Sequence, residues 1–124
     1  GAQALLEGVV THQDEADHLT EVVCEGQSVW VSQLSQARGT RVRLSVAARD
    51  VTISLVPATD SSVLNCLEVQ IEALESDPHP GHVLIALKLG KQVLLSRITE
   101  RSRRQLALKP GDRVHALIKG IAVH

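Results

Sequence analysis

Gly39-Thr40-Arg41-Val42-Arg43-Leu44-Ser45-Val46 is the cleanest alternation in the chain. An extended segment there puts Val42, Leu44 and Val46 on one face and Arg41, Arg43 and Ser45 on the other. At an offset of 72, Gly111-Asp112-Arg113-Val114 repeats its Gly-x-Arg-Val opening, and Val51 meets Val123. Gly26-x-x-Val29-x-x-Ser32 matches Gly90-x-x-Val93-x-x-Ser96 at an offset of 64, and Leu6-Glu7 matches Leu67-Glu68 at 61. The growing offset locates insertions, the largest after Ser96. Two copies of one unit with about five strands each suit small closed barrels of the oligonucleotide/oligosaccharide-binding type. In this alignment Trp30 falls on Leu94, an apolar strand position, so its expected role is packing.

Around these anchors, short β-branched segments alternate with turn signals. The first copy reads as strands over 5–11, 19–24, 28–32, 41–46 and 50–56. A turn spans His12–His18, Gly26 marks a hairpin, and a linker covers Pro57 to Asp60. The second reads as strands over 67–74, 82–89, 92–98, 112–118 and 121–124. Ser76-Asp77-Pro78-His79-Pro80-Gly81 forms a turn and Gly90-Lys91 a hairpin. One helix is expected over Thr99–Leu108, with Thr99 as its N-cap and Pro110-Gly111 closing it. The expected fold is all-β: two tandem small oligonucleotide-binding-like barrels with one short helix. The first barrel, a degenerate copy, covers 1–58, and the second covers 59–124. A barrel of about 60 residues is marginal alone, so each is expected to pack on its twin or on another chain.

Composition narrows what such barrels can bind. Val, Leu and Ile supply 39 of 124 residues, while Phe, Tyr and Met are absent and Trp30 is the only aromatic. That is enough aliphatic material for a core. It excludes base-stacking platforms, aromatic cages and Tyr-rich hot spots. Small, hard, charged ligands remain, since amides, hydroxyls and a few cations suffice for them.

The net charge is −1, with a pI near 6.6, so no global field steers nucleic acid or membrane, and no nucleic-acid partner is expected. Charge is nevertheless segregated. Residues 1–37 carry six acids and no Lys or Arg, whereas residues 97–119 carry seven bases against Glu100 and Asp112. Cys24 and Cys66, far apart in apolar contexts, read as reduced core thiols of a cytoplasmic protein. The start at Gly1-Ala2, without Met, fits a piece of a longer chain.

Asp60-Ser61-Ser62-Val63-Leu64-Asn65 and Ile118-Lys119-Gly120-Ile121-Ala122 form the candidate site. Two hydroxyls and an amide can donate to oxygen, Lys119 adds a point charge, and Gly120 admits close backbone approach. Together they suit a tetrahedral oxyanion. The plainer account is that Ser61 and Ser62 cap a turn, Asn65 ties strand to strand and Gly120 is a bulge.

The stretch Asp60–Leu67, with the ending Leu106-x-Leu108-Lys109-Pro110-Gly111-Asp112-x-Val114-x-Ala116-Leu117-Ile118-Lys119, resembles the molybdate/tungstate-binding Mop, or TOBE, domain. The upstream half, with Leu19-Thr20 and Arg41–Leu55, is similar to the C-terminal regulatory region of the ATP-binding subunit of molybdate ABC importers. The resemblance implies tandem barrels, homodimerisation, and molybdate or tungstate as ligand in place of a resident cofactor. By carry-over Ser61, Ser62, Asn65, Lys119 and Gly120 fall on binding positions. It further implies an upstream ATPase domain, a membrane permease as partner, and a cytoplasmic location at the inner membrane. Two positions depart from the pattern. The family's Arg falls on Leu64, and its Ser after the closing Lys falls on Ile121 or Ala122. A pocket without them lacks a bidentate cation and a donor, each charge-assisted bond being worth ~1.5–3 kcal/mol. The alternative function is a structural dimerisation module that has lost its anion pocket.

Enzymatic chemistry is not expected, because no Gly-x-x-x-x-Gly-Lys-Ser/Thr loop and no nucleophile elbow occurs. Arg101 and Arg104 share a helix face and could meet phosphates or an acidic partner, or be a solvated face. His12, Asp14, Glu15, Asp17 and His18 crowd one turn, and Asp77, His79 and His82 another. Neither has the fixed spacing of a metal site, and no metal is expected.

Overall fold

A computed structural model describes residues 1–124. Ten strands run in chain order: β1 (Gln3–Asp14), β2 (Leu19–Cys24), β3 (Gln27–Ser32), β4 (Arg41–Ala47), β5 (Val51–Ser54), β6 (Asn65–Ser76), β7 (His82–Leu89), β8 (Gln92–Thr99), β9 (Arg113–Ile118) and β10 (Ala122–Val123). One helix, α1 (Glu100–Leu106), joins β8 to β9. The strands form two antiparallel five-stranded sheets, in the orders β10-β4-β1-β2-β3 and β5-β9-β6-β7-β8.

These two orders are the same order once each strand is replaced by its repeat, except that β5 and β10 have changed places. Val51 pairs with Ile118 on β9, and Val123 pairs with Leu44 on β4. Each half of the chain, 1–58 and 59–124, therefore lends its last strand to the other's sheet. The interior follows suit. Twenty-three buried side chains from both halves make one continuous aliphatic cluster.

The repeat extends to irregularities. A β-bulge bends β1 between Val10 and His12, and its counterpart bends β6 between Ile71 and Ala73. These kinks let both 12-residue strands pair with two neighbours, β1 with β2 and β4, β6 with β7 and β9.

Two expected alignments shift. Cys24 pairs with Gln27 across Glu25-Gly26, and Leu89 pairs with Gln92 across Gly90-Lys91, so the hairpins superpose at an offset of 65, not 64. The glycines mislead because the turns differ. Glu25 and Gly26 both have positive φ (49° and 78°), as in a type I′ turn. In the second hairpin only Gly90 does (58°), the first central position of a type II′ turn. Trp30 thus corresponds to the half-buried Leu95 and not to Leu94, whose true counterpart is the buried Val29. Likewise Ile53, not Val51, occupies the place of Val123.

Element ends also differ. β5 stops at Ser54 because its hydroxyl bonds to the Val56 carbonyl at 2.6 Å and bends the chain, leaving Leu55 and Val56 exposed. α1 stops at Leu106. Thr99 caps its start as expected, accepting from Ser102 N, but Ala107 closes it in the left-handed conformation (φ 52°). Leu108 N then reaches Arg103 O and Ala107 N reaches Arg104 O, a Schellman pattern that drops Leu108 into the core. Pro110-Gly111 lies beyond this closure.

Candidate functional site

The edge strand β3 lies against the start of β6, and side-chain amides fasten the two. Trp30 N donates to Asn65 Oδ1 at 2.7 Å, and Asn65 Nδ2 donates to Trp30 O at 2.8 Å. Three residues along each strand, Gln27 makes the same double bond with Glu68, its Nε2 donating to Glu68 O and its Oε1 accepting from Glu68 N, both at 2.8 Å. The symmetry mate is present too: Gln92 clamps the main chain of Glu7 at 2.7 and 2.9 Å. Asn65 has no mate, since Ala4 stands in its place. A cleft borders this extra clamp.

This cleft, of about 490 Å³, brings together Ser62, Asn65 and Lys119. The main chain of Lys119 is fixed by its N–H, which donates to Asp50 O at 2.9 Å. Asn65 is buried, with both heavy atoms of its amide engaged, yet Nδ2 carries a second N–H beyond the one given to Trp30. Leu19, Trp30, Leu64, Ile118 and Ile121 supply most of the remaining wall. The two positions that depart from the family pattern, Leu64 and Ile121, thus both face the cleft with hydrocarbon.

Ser61 and Gly120 are not brought into it. The Ser61 hydroxyl accepts from Val63 N at 3.0 Å, a local turn bond, as the plainer account of that residue expects. Gly120 sits against Asp50, whose Oδ2 would lie 3.1 Å from an added Cβ. The glycine therefore makes room for a carboxylate from the short helical turn between β4 and β5. Trp30, expected only to pack, lines the cleft and meets His12 edge-on at 6.5 Å. Its place beside Asn65 depends on long-range strand contact and carries no local sequence signal.

Some of the other singled-out groups are absorbed by structure. The Asp77 side chain is 1% exposed and pairs with Arg97; His79 N also donates to it at 3.1 Å. Burial raises its pKa, but the bonds from His79 and Arg97 outweigh this and leave it below the usual carboxylate range. Arg103 pairs with Glu100 within α1. Arg101 and Arg104 are exposed and form no ion pair. No three His, Cys, Asp or Glu side chains converge so as to hold a metal ion. Both cysteines are free, but only Cys24 is a core thiol; Cys66 is half-buried. Burial, with the charge of Glu25, pushes the Cys24 thiol up to about 11.

One comparison with known proteins covers the second half of the chain, and others cover nearly all of it. The TOBE domain model matches residues 61–124, half of the chain. The chain belongs to the TOBE domain family. It is 44% identical over 122 residues to the Molybdenum import ATP-binding protein ModC of Albidiferax ferrireducens, a match covering 98% of this chain and 33% of that protein. To ModC of Thiobacillus denitrificans it is 39% identical over 119 residues, covering 96% and 33%. The chain thus spans about a third of the length of these relatives, the part without their ATPase motifs. In fold it is similar to the cytoplasmic molybdate-binding protein ModG in a molybdate-bound crystal form, with TM-score 0.77 and 22% identity. That match covers 96% of this chain and 93% of that one. The TOBE fold here is the expected all-β, oligonucleotide-binding-like architecture. No helix is long and apolar enough to cross a membrane.

Proposed function

We propose that this chain is the oxyanion-sensing regulatory domain of a molybdate importer's ATP-binding subunit, with molybdate or tungstate seated at Ser62, Asn65 and Lys119. The observation that carries the reading is the cleft itself: within a TOBE domain, Ser62, Asn65 and Lys119 line a single cavity. In this account Lys119 supplies the charge, and Ser62 and the second N–H of Asn65 orient the tetrahedral oxygens. Trp30 and the aliphatic wall form a low-polarity side of the cleft, which strengthens those few contacts.

Sensing requires two arrangements with different affinities for the anion. Homodimerisation provides them: two such domains change spacing when the cleft fills, and with them the ATPase domains upstream and the permease they serve. The parent protein then works at the cytoplasmic face of the inner membrane. Calorimetric titration with molybdate, tungstate and sulfate tests the reading. Saturable heat and a raised melting temperature with molybdate or tungstate support it; no heat and no thermal shift at millimolar oxyanion sink it.

A second reading, a dimerisation module whose anion pocket is lost, is favoured by Leu64 and Ile121 lining the cleft with hydrocarbon. It predicts a dimer that is stable on dilution and whose melting temperature ignores oxyanions.

A further inference from the structure

The internal repeat creates a pair of outward grooves, and comparing them isolates a feature that belongs to one alone. The larger, of about 640 Å³, is lined by Glu7, Glu25, Arg41, Arg43, Gln92 and His124 among others. Its mate, of about 360 Å³, is lined by Glu68, Gln70, Lys88, Gly90, Arg113 and His115. Strand register equates Glu7 with Glu68, Arg41 with Arg113 and Arg43 with His115. It also sets Val23 against Lys88 and Glu25 against Gly90.

Those last two exchanges shift the charge balance, from two acids against two arginines to one acid against Lys88 and Arg113. In the first groove Arg43 pairs with Glu7 at 3.8 Å, and a second carboxylate, Glu25, reaches Lys91 N and Gln92. In its mate the valine has become Lys88 and the acid has become a glycine. Lys88, Gln70 and Arg113 stand in one transverse row on β7, β6 and β9. Strand spacing sets the outer two about 10 Å apart at the backbone. His115 follows Arg113 on the same face, opposite Glu68. Neither Lys88, Arg113 nor His115 has a carboxylate within ion-pair distance. Gln70 gives one N–H to Gly111 O at 3.1 Å and keeps its second. Glu68 is the one carboxylate residue lining the groove.

We propose that this second groove is a binding site for a phosphate-type dianion, separate from the cleft at Asn65. Lys88 and Arg113 flank the anion, the guanidinium gripping two of its oxygens and the ammonium neutralising a third. The Gln70 amide and His115 donate from the floor. The site does not depend on the oxyanion-sensing reading, because it shares no residue with that cleft.

Amide shift perturbation on titration with inorganic phosphate, with chloride at equal ionic strength as control, decides the matter. Saturable shifts at Gln70, Gly90 and His115 are expected with phosphate and not with chloride. Two surface variants, Lys88→Val (the residue of the twin groove) and Arg113→Ala, should each weaken that response about tenfold while leaving the melting temperature in place. Linear shifts matched by chloride, shifts centred on Asn65 and Lys119 instead, or an affinity unchanged from the parent chain in both variants would overturn the proposal.

Discussion

Asn65 spends its side-chain carbonyl and one amide N–H on the main chain of Trp30, 35 residues away, and so stands in for a ladder rung between two sheets. The same residue borders the cleft beside Ser62 and Lys119. Fold and candidate site therefore meet in one side chain.

Asn65→Ala should cost about 2–4 kcal/mol, because the N–H and C=O of Trp30 both lose a partner in a half-buried setting. Gln27→Ala removes the equivalent clamp on Glu68, which is solvent-exposed, and should cost under about 1 kcal/mol. Urea denaturation of both variants checks the contrast; equal costs would contradict the special place of Asn65.

Gly8 holds the position that Val69 fills in the other half, yet a Cβ there would lie 2.6 Å from Val22 Cγ1 and 2.9 Å from Val23 O. The second of these is main chain and cannot swing aside. Gly8→Ala is expected to lose about 1–3 kcal/mol through overpacking, read as a lowered denaturation midpoint.

Ala107 ends α1 with φ at 52°, a conformation that costs an L-residue roughly 1–2 kcal/mol. Ala107→Gly relieves it against the greater freedom of unfolded glycine, about 0.5–1 kcal/mol. The net expectation is a gain of about 0.5–1 kcal/mol, visible as a raised melting temperature.

Asp77 makes a pH prediction whose sign follows from its depressed pKa. Burial opposes ionisation, but the bonds from His79 and Arg97 favour it more, so the unfolded chain binds the proton first as pH falls. The stabilisation is complete above the ordinary carboxylate value near 3.8 and is lost as pH drops through the lower folded value. Asp77→Asn should flatten this acid limb of the stability curve and leave its other limbs alone, as measured by denaturant midpoints across pH.

Much of this architecture was legible in local pattern. The alternation of Arg41–Val46 and its echo at Arg113 marked β4 and β9, and Thr99 marked the start of α1. The exchange of β5 and β10 was not legible, because Val51 and Val123 face inward in either sheet and no local residue records which neighbour they pair with. Aligning Gly26 with Gly90 misplaced the hairpins by one residue, since glycine serves the second position of one turn type and the first of another. Of the candidate site residues, Ser62, Asn65 and Lys119 line one cleft. Ser61 and Gly120 do not, because a local turn bond and the Asp50 carboxylate claim them. Trp30 was missed because only the strand contact with β6 brings it there.

That tryptophan, the chain's sole aromatic fluorophore, gives the most direct test. Its emission should change saturably on titration with molybdate or tungstate, not with chloride, and Lys119→Ala should weaken the response at least about tenfold. An emission spectrum indifferent to millimolar oxyanion, or a response unaltered in Lys119→Ala, would contradict oxyanion sensing at this cleft.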